Sequence, residues 1–189
     1  MIEALTKIIK DNQKQGMVVA EIGAWTGETT IDYIDIIKRN KGKCYIVDWF
    51  SGNSDIGNHP SERNHIHAYK PENSDAIYEK FMKNLEGYHD CIEVLRGKSE
   101  DMIKKIKDGE LDICFIDADH TYEGCLDDIN KCLPKVKENG IICGHDCEHI
   151  EMGNMFNDIE LNVHYLQELP RKVAEAGAHV GPPDKQFIV

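Results

Sequence analysis

"MVVAEIGAWTGETT", residues 17–30, decides the fold. Its first part, MVVAEIG, is a short apolar run that stops at a glycine. A run of this kind reads as a strand covered on both faces. The second part changes character. Gly23 and Gly27 flank a tight turn, and a helical period resumes over 27–40 through Ile31, Ile34 and Ile37. A buried strand, a glycine turn and an amphipathic helix make the first half of a βαβ unit.

The same alternation continues along the chain. KCYIVD (43–48) reads as a second strand, and SDAIYEKFMKNLEGY (74–88) as a helix with Ser74 at its N-cap. CIEVLRG (91–97) is a third strand and SEDMIKKIKD (99–108) a crossover helix. LDICFID (111–117) and NGIICGHD (139–146) are further strands, with a helix over 121–137 between them. Ahead of the first strand, Ile2, Leu5, Ile8 and Ile9 mark one face of an opening helix. The last forty or so residues predict a short helix near 153–160 and strands near 162–168 and 185–189, with GPPD (181–184) as a turn. Strands separated by helices imply right-handed crossovers. The expectation is an α/β, Rossmann-like, doubly wound and mostly parallel sheet of about seven strands, helices on both faces, in a single domain over 1–189.

Composition narrows the function. The chain has 189 residues, 41% hydrophobic and 30% charged, as a soluble globular domain should. No apolar run reaches membrane length, and the N-terminal stretch lacks the apolar core of a secretory signal, so a cytoplasmic protein with no membrane partner is expected. A formal net charge of -12 argues against nucleic acid as the main partner. The seven cysteines are scattered and odd in number, which suggests reduced, buried thiols.

In an open α/β sheet, ligands bind beyond the carboxyl ends of the strands, where strand order reverses. Gly23 and Gly27 stand at such an end and let backbone come close to a ligand. The turn is not G-x-G-x-x-G, the pattern that a nucleotide-dependent oxidoreductase would need. Asp48 ends the second strand, where an acid is placed to accept hydrogen bonds from two ribose hydroxyls.

VVAEIGAWTGETT, YIVDWF, DICFIDADHTYEGCLDDI and NGIICGHD, in that order, resemble the successive motifs of class I S-adenosylmethionine-dependent methyltransferases. The chain looks most like the methyltransferase-24-like group, which is similar to the metal-dependent small-molecule O-methyltransferases. The resemblance covers about residues 17–147 and implies particular roles. Glu21, Gly23, Ala24 and Gly27 would surround the methionine part of the cofactor. Asp48 would hold the ribose, Trp49 would lie near the adenine, and Ser99 would sit by it. Asp117 would border the cofactor from the fourth strand. Lys98 stands where an aspartate is usual in that group.

The stretch FIDADHTYEG (115–124) carries the candidate chemistry. Asp117 and Asp146 end strands expected to be neighbours, about 4.8 Å apart. With His145 they form a candidate site for Mg²⁺ or another divalent cation, which would bind two vicinal hydroxyls of the acceptor. An enzyme without metal is the alternative, because Cys147 is a poor Mg²⁺ ligand where relatives often carry Asn or Asp. His120 and His145 are candidate general bases, the imidazole titrating near neutrality. Asp119 orients His120, joins the metal or, with Thr121, caps the following helix. Cys143, His145, Cys147 and His149 alternate, a spacing poorly suited to a structural zinc site. The loop over 49–74 reads as a lid or as polar surface, with His59, His65 and His67 facing a substrate in the first case.

The expected activity is transfer of a methyl group to an oxygen of a small molecule such as a sugar or another polyhydroxylated compound. A non-catalytic nucleoside-binding protein and an oxidoreductase are the competing classes. The acceptor is either small or held in a pocket completed by a second copy in a homo-oligomer.

Overall fold

The computed structural model describes residues 2–50, 74–119, 122–144 and 186–188. A six-stranded sheet is built from β1 (Val18–Ile22), β2 (Lys43–Asp48), β3 (Ile92–Arg96), β4 (Leu111–Ile116), β5 (Val136–Gly144) and β6 (Gln186–Ile188), in the order β3-β2-β1-β4-β5-β6. Every neighbouring pair is parallel. The chain winds outward from β1 to β3 on one side, then returns to β4 beside β1 and winds the other way. The switch point therefore lies between β1 and β4, where a crevice opens beyond the strand ends.

The helices divide between two layers. α1 (Ile2–Asp11), α2 (Glu28–Arg39) and α3 (Ser74–Asn84) cover one face. Ile9, Tyr33, Ile34, Ile37, Phe81 and Leu85 pack there on Val19, Ile46 and Ile113. α4 (Ser99–Met102) with its 3₁₀ extension Ile103–Lys105, and α5 (Tyr122–Cys132) with its extension Leu133–Lys135, cover the other. There Ile103, Ile106, Cys132 and Leu133 pack on Ala20, Ile22, Val47 and Cys114. Successive strand residues face opposite layers, so Val19 and Glu21 turn toward α2 while Ala20 and Ile22 turn toward α5. Each fully buried large apolar side chain contributes about 1.5–3 kcal/mol.

The sequence-based expectation differs from the structure in three places. Six strands of the sheet lie among the described residues; the further strand expected over 162–168 and the helix over 153–160 lie outside them. The helix expected to run to 137 ends its α-form at Cys132, because Pro134 has no N–H to continue it. β5 then starts early, at Val136, and takes a detour. Leu111 pairs with Val136 but Ile113 with Ile141, so a left-handed turn at Asn139 (φ 60) absorbs the extra residues. Likewise the helix expected over 99–108 is one α-turn followed by 3₁₀, ending at Lys105. No helix among the described residues is long and apolar enough to cross a membrane.

Candidate active site

Three strand exits meet at the switch point. Gly23 N–H donates to Val47 O at 2.9 Å, and Asp117 N–H donates to Ile22 O at 2.7 Å. The chain after β1 thus lies between the chains leaving β2 and β4. Gly23 is required at this crossing. Its φ is 86°, and a Cβ there would lie 2.1 Å from the Asp117 carbonyl oxygen and 2.7 Å from Ala118 Cα. Gly27 answers a different need. At φ 78° it precedes α2, and a Cβ would press on Phe81 Cδ2 at 3.0 Å and Leu85 Cδ1 at 3.1 Å. The first glycine admits a neighbouring backbone; the second admits α3.

Between the glycines, the turn is held by Asp48. Its Oδ2 accepts the N–H of Ala24 at 2.8 Å and of Trp25 at 2.7 Å. Its Oδ1 accepts the N–H of Phe50 at 2.6 Å. Trp25 (φ 45°) and Phe50 (φ 52°) are both non-glycine residues in left-handed backbone, a conformation that costs on the order of 1–3 kcal/mol. Strain of this size concentrates where function needs a fixed shape. Trp25 is 44% exposed, an unusual setting for so large an apolar ring. Phe50 is buried and packs edge-on against Tyr78 and tilted against Phe81, with centroids 5.1 and 5.2 Å away.

Glu21 lies one residue inside the strand end, on the α2 side. Thr30 Oγ1 and Tyr33 Oη each donate to its Oε2 at 2.6 Å. Burial raises its carboxyl to about 7; the two hydroxyls oppose that rise, and the charges of Asp117 and Asp48 add to it. The carboxyl placed in the sequence near the methionine part of the cofactor is therefore engaged beneath α2. Ser99 opens α4, and its hydroxyl stabilises the ionised form of Asp128 on α5. Asp128 is 2% exposed, and its carboxyl is raised mainly by burial, with the charge of Asp119 adding to the effect. Lys98 places its ammonium 5.7 Å from the Trp49 ring centroid, a cation–π arrangement.

The β4 exit also carries Asp119. A Cβ on Gly124 would lie 2.2 Å from Asp119 Cγ, so this carboxyl is tucked over the first turn of α5. That position suits the helix-capping role weighed for it in the sequence. His120, His145 and Asp146 lie outside the described residues, as do His59, His65, His67 and most of the 49–74 loop. Of the proposed metal ligands only Asp117 is described, and no group of three or more His, Cys, Asp or Glu that could hold a metal occurs among the described residues. Cys143 belongs to the core instead. Its thiol donates to Cys114 O at 3.7 Å, and burial pushes it up to about 12, where a thiolate ligand is disfavoured.

Two features of this site were not read from the sequence. Trp25 sits inside the quoted turn, and an aromatic between two turn glycines was the available signal. Asp128 stands four residues before Cys132 on one helical face, so the period of α5 already turned an acid inward.

A family model described as a methyltransferase domain matches residues 20–147. Among curated proteins there is no match. Solved structures do resemble the chain. The O-methyltransferase NovP is 19% identical, with 85% of this chain and 71% of that one covered and a TM-score of 0.55. A putative rRNA-methylase from Clostridium thermocellum is 16% identical, with 86% and 83% covered and a TM-score of 0.56. The CurJ carbon methyltransferase is 14% identical, with 75% and 33% covered and a TM-score of 0.52. At such identities these likenesses show the fold. The family match runs from β1 past the end of β5, more than half of the chain, so the protein belongs to the methyltransferase-24 family and is a class I S-adenosylmethionine-dependent methyltransferase.

Proposed function

We propose that the protein methylates an oxygen of a small hydroxylated molecule, such as a sugar or another polyhydroxyl compound. The observation that carries this reading is the meeting of Gly23, Asp48 and Asp117 at one edge of the sheet. Two of these residues bring carboxylates to the place where a cationic methyl donor is expected. The formal net charge of -12 favours a neutral or cationic small acceptor over a phosphate backbone. That charge balance supports a small acceptor over ribosomal RNA.

S-adenosylmethionine, when bound, supplies a methyl group already activated by its positively charged sulfur. Gly23 lets the backbone leaving β4 pass beside the turn, and Asp48 fixes that turn. Asp117 contributes negative charge that favours a cationic ligand. His120, three residues beyond Asp117, takes the proton of the acceptor hydroxyl, and Asp119 or its helix sets the start of that segment. His145 is the second candidate for the same proton. In the metal-assisted form of the reading, Asp117, Asp146 and His145 would hold a divalent cation such as Mg²⁺, which would supply Lewis acidity toward the acceptor. The rest of the acceleration comes from holding the acceptor oxygen in line with the methyl group.

The test is a screen of sugars and other polyhydroxylated compounds with the purified protein and S-adenosylmethionine, with and without a chelator. The reading expects S-adenosylhomocysteine together with an O-methylated product, and a turnover rate reduced about 10²- to 10⁴-fold in His120→Ala. Methyl transfer to carbon or to ribosomal RNA, with none to hydroxyl acceptors, would overturn it. Full activity in the chelator removes the metal from the mechanism and leaves the rest in place.

A further inference from the structure

We propose that Asp48 is first a positioning residue for the cofactor turn, with capacity left for one ribose hydroxyl rather than two. An ionised carboxylate offers roughly four lone-pair sites on its two oxygens. Among the described residues three are occupied: Oδ2 by the Ala24 and Trp25 amides and Oδ1 by the Phe50 amide, at 2.8, 2.7 and 2.6 Å. Oδ2 is saturated, and one site on Oδ1 remains. The expectation from the sequence, an acid gripping two hydroxyls, does not fit a carboxylate committed in this way.

What the carboxylate holds explains why it is committed. Among the described residues, Trp25 and Phe50 are the two left-handed non-glycine residues at this edge, at φ 45° and 52°, and both donate their N–H to Asp48. Among the described residues, the other non-glycine positions with positive φ are Lys41, after α2, and Asn139, in the β5 detour, both away from the strand exits described above. The backbone of Asp48 is itself anchored, since its carbonyl accepts Gly97 N–H at 2.9 Å and Val47 before it accepts Gly23 N–H at 2.9 Å. Phe50 continues the chain of contacts through Phe81, which also packs beneath Gly27. A closed circuit results: Asp48 ties down the middle of the β1–α2 turn, and Phe50 with Phe81 ties down its end. The turn is thereby shaped before any ligand arrives, which lowers the ordering cost of binding.

This inference rests on the methyl-donor site proposed above, and its test keeps the two apart. The first measurement is amide hydrogen exchange by NMR on the whole wild-type chain, without and with S-adenosylhomocysteine. The amides of Ala24, Trp25 and Phe50 are expected to be protected in the free protein. Protection that appears only with S-adenosylhomocysteine would overturn the positioning role. The second is calorimetry with S-adenosylhomocysteine and its 2′-deoxy and 3′-deoxy analogues on wild type and Asp48→Asn. In wild type, loss of the hydroxyl on Asp48 should weaken binding about tenfold, the scale of a hydrogen bond to a charged group. Asp48→Asn should weaken all three ligands and erase the difference for one hydroxyl only. Erasure of both differences would restore the two-hydroxyl grip and defeat the inference, as would unchanged affinity for all three. Should the Asn variant not fold, Asp48→Glu takes its place with the same expected pattern. Folded wild type that gives no heat with S-adenosylhomocysteine would instead refute the donor site itself.

Discussion

Asp112 and Asp48 stand at opposite ends of the sheet and are held in opposite ways. Asp112, at the amino edge of β4, is met by Lys14 and Lys137, each with Nζ 2.8 Å from Oδ1, and by the Val18 N–H at 2.8 Å from Oδ2. Burial works against its charged form, yet Lys137, Lys14 and the Val18 amide outweigh it and hold the carboxyl below its usual range. Asp48, at the carboxyl edge of β2, takes its hydrogen bonds from backbone amides. Lysines neutralise an acid; amides position it and leave its charge in place. One end of the sheet is stapled by ion pairs, and the other keeps negative charge at the strand exits.

The largest predicted effect breaks the carboxyl edge alone. Gly23→Ala places a methyl group 2.1 Å from the Asp117 carbonyl at a backbone angle that alanine resists. It should cost at least about 3 kcal/mol of stability and abolish binding of S-adenosylhomocysteine, as followed by denaturant unfolding and calorimetry.

The next effect is a pH dependence set behind that edge. The Glu21 carboxyl is raised to about 7 in the folded chain against an ordinary 4.5. A group raised on folding favours the folded state fully below its unfolded value and loses that contribution as pH climbs through its folded value. Wild-type stability should therefore fall between about pH 4.5 and 7, by on the order of 3 kcal/mol from this group. Glu21→Gln keeps an acceptor for Thr30 and Tyr33 and should show a flatter profile over that window. Equal slopes in the two proteins would contradict the assignment.

At the amino edge, Asp112→Asn should lower stability at pH 7 by about 1–2 kcal/mol, the scale of lost hydrogen bonds to charged groups. Because the carboxyl is lowered on folding, its contribution is present above its ordinary value and disappears as pH falls below it. The cofactor affinity of this variant should be unchanged, which sharpens the contrast with Asp48. The smallest effect concerns Lys98, whose ammonium lies 5.7 Å from the Trp49 centroid. Lys98→Ala should alter S-adenosylhomocysteine binding by about 0.5 kcal/mol, a change of two- to threefold.

Much of this architecture was legible in the residues. The strands at 18–22, 43–48, 92–96 and 111–116 were read within a residue or two of their ends, because strands covered on both faces are continuous apolar runs. The helix ends were harder, since Pro134 and the left-handed turn at Asn139 redirect a chain whose apolar period continues. In the site, the gathering of Gly23, Asp48 and Asp117 follows from the βαβ alternation and the rule of strand ends. The partners of each acid do not. Glu21 shares the parity of Val19, so its turn toward α2 was available from the period of two, but the hydroxyls that meet it come from a helix turn later in the chain. Two of the three amides that occupy Asp48 lie 23 and 24 residues earlier, and only the folded sheet brings those two near.

The most direct test of the account is calorimetric titration of the whole chain at neutral pH with S-adenosylhomocysteine, beside Gly23→Ala and Asp112→Asn. The account predicts one binding site in wild type, the same site in Asp112→Asn, and no heat in Gly23→Ala. A cooperatively folded wild-type protein that takes up no ligand at about millimolar concentration would contradict it.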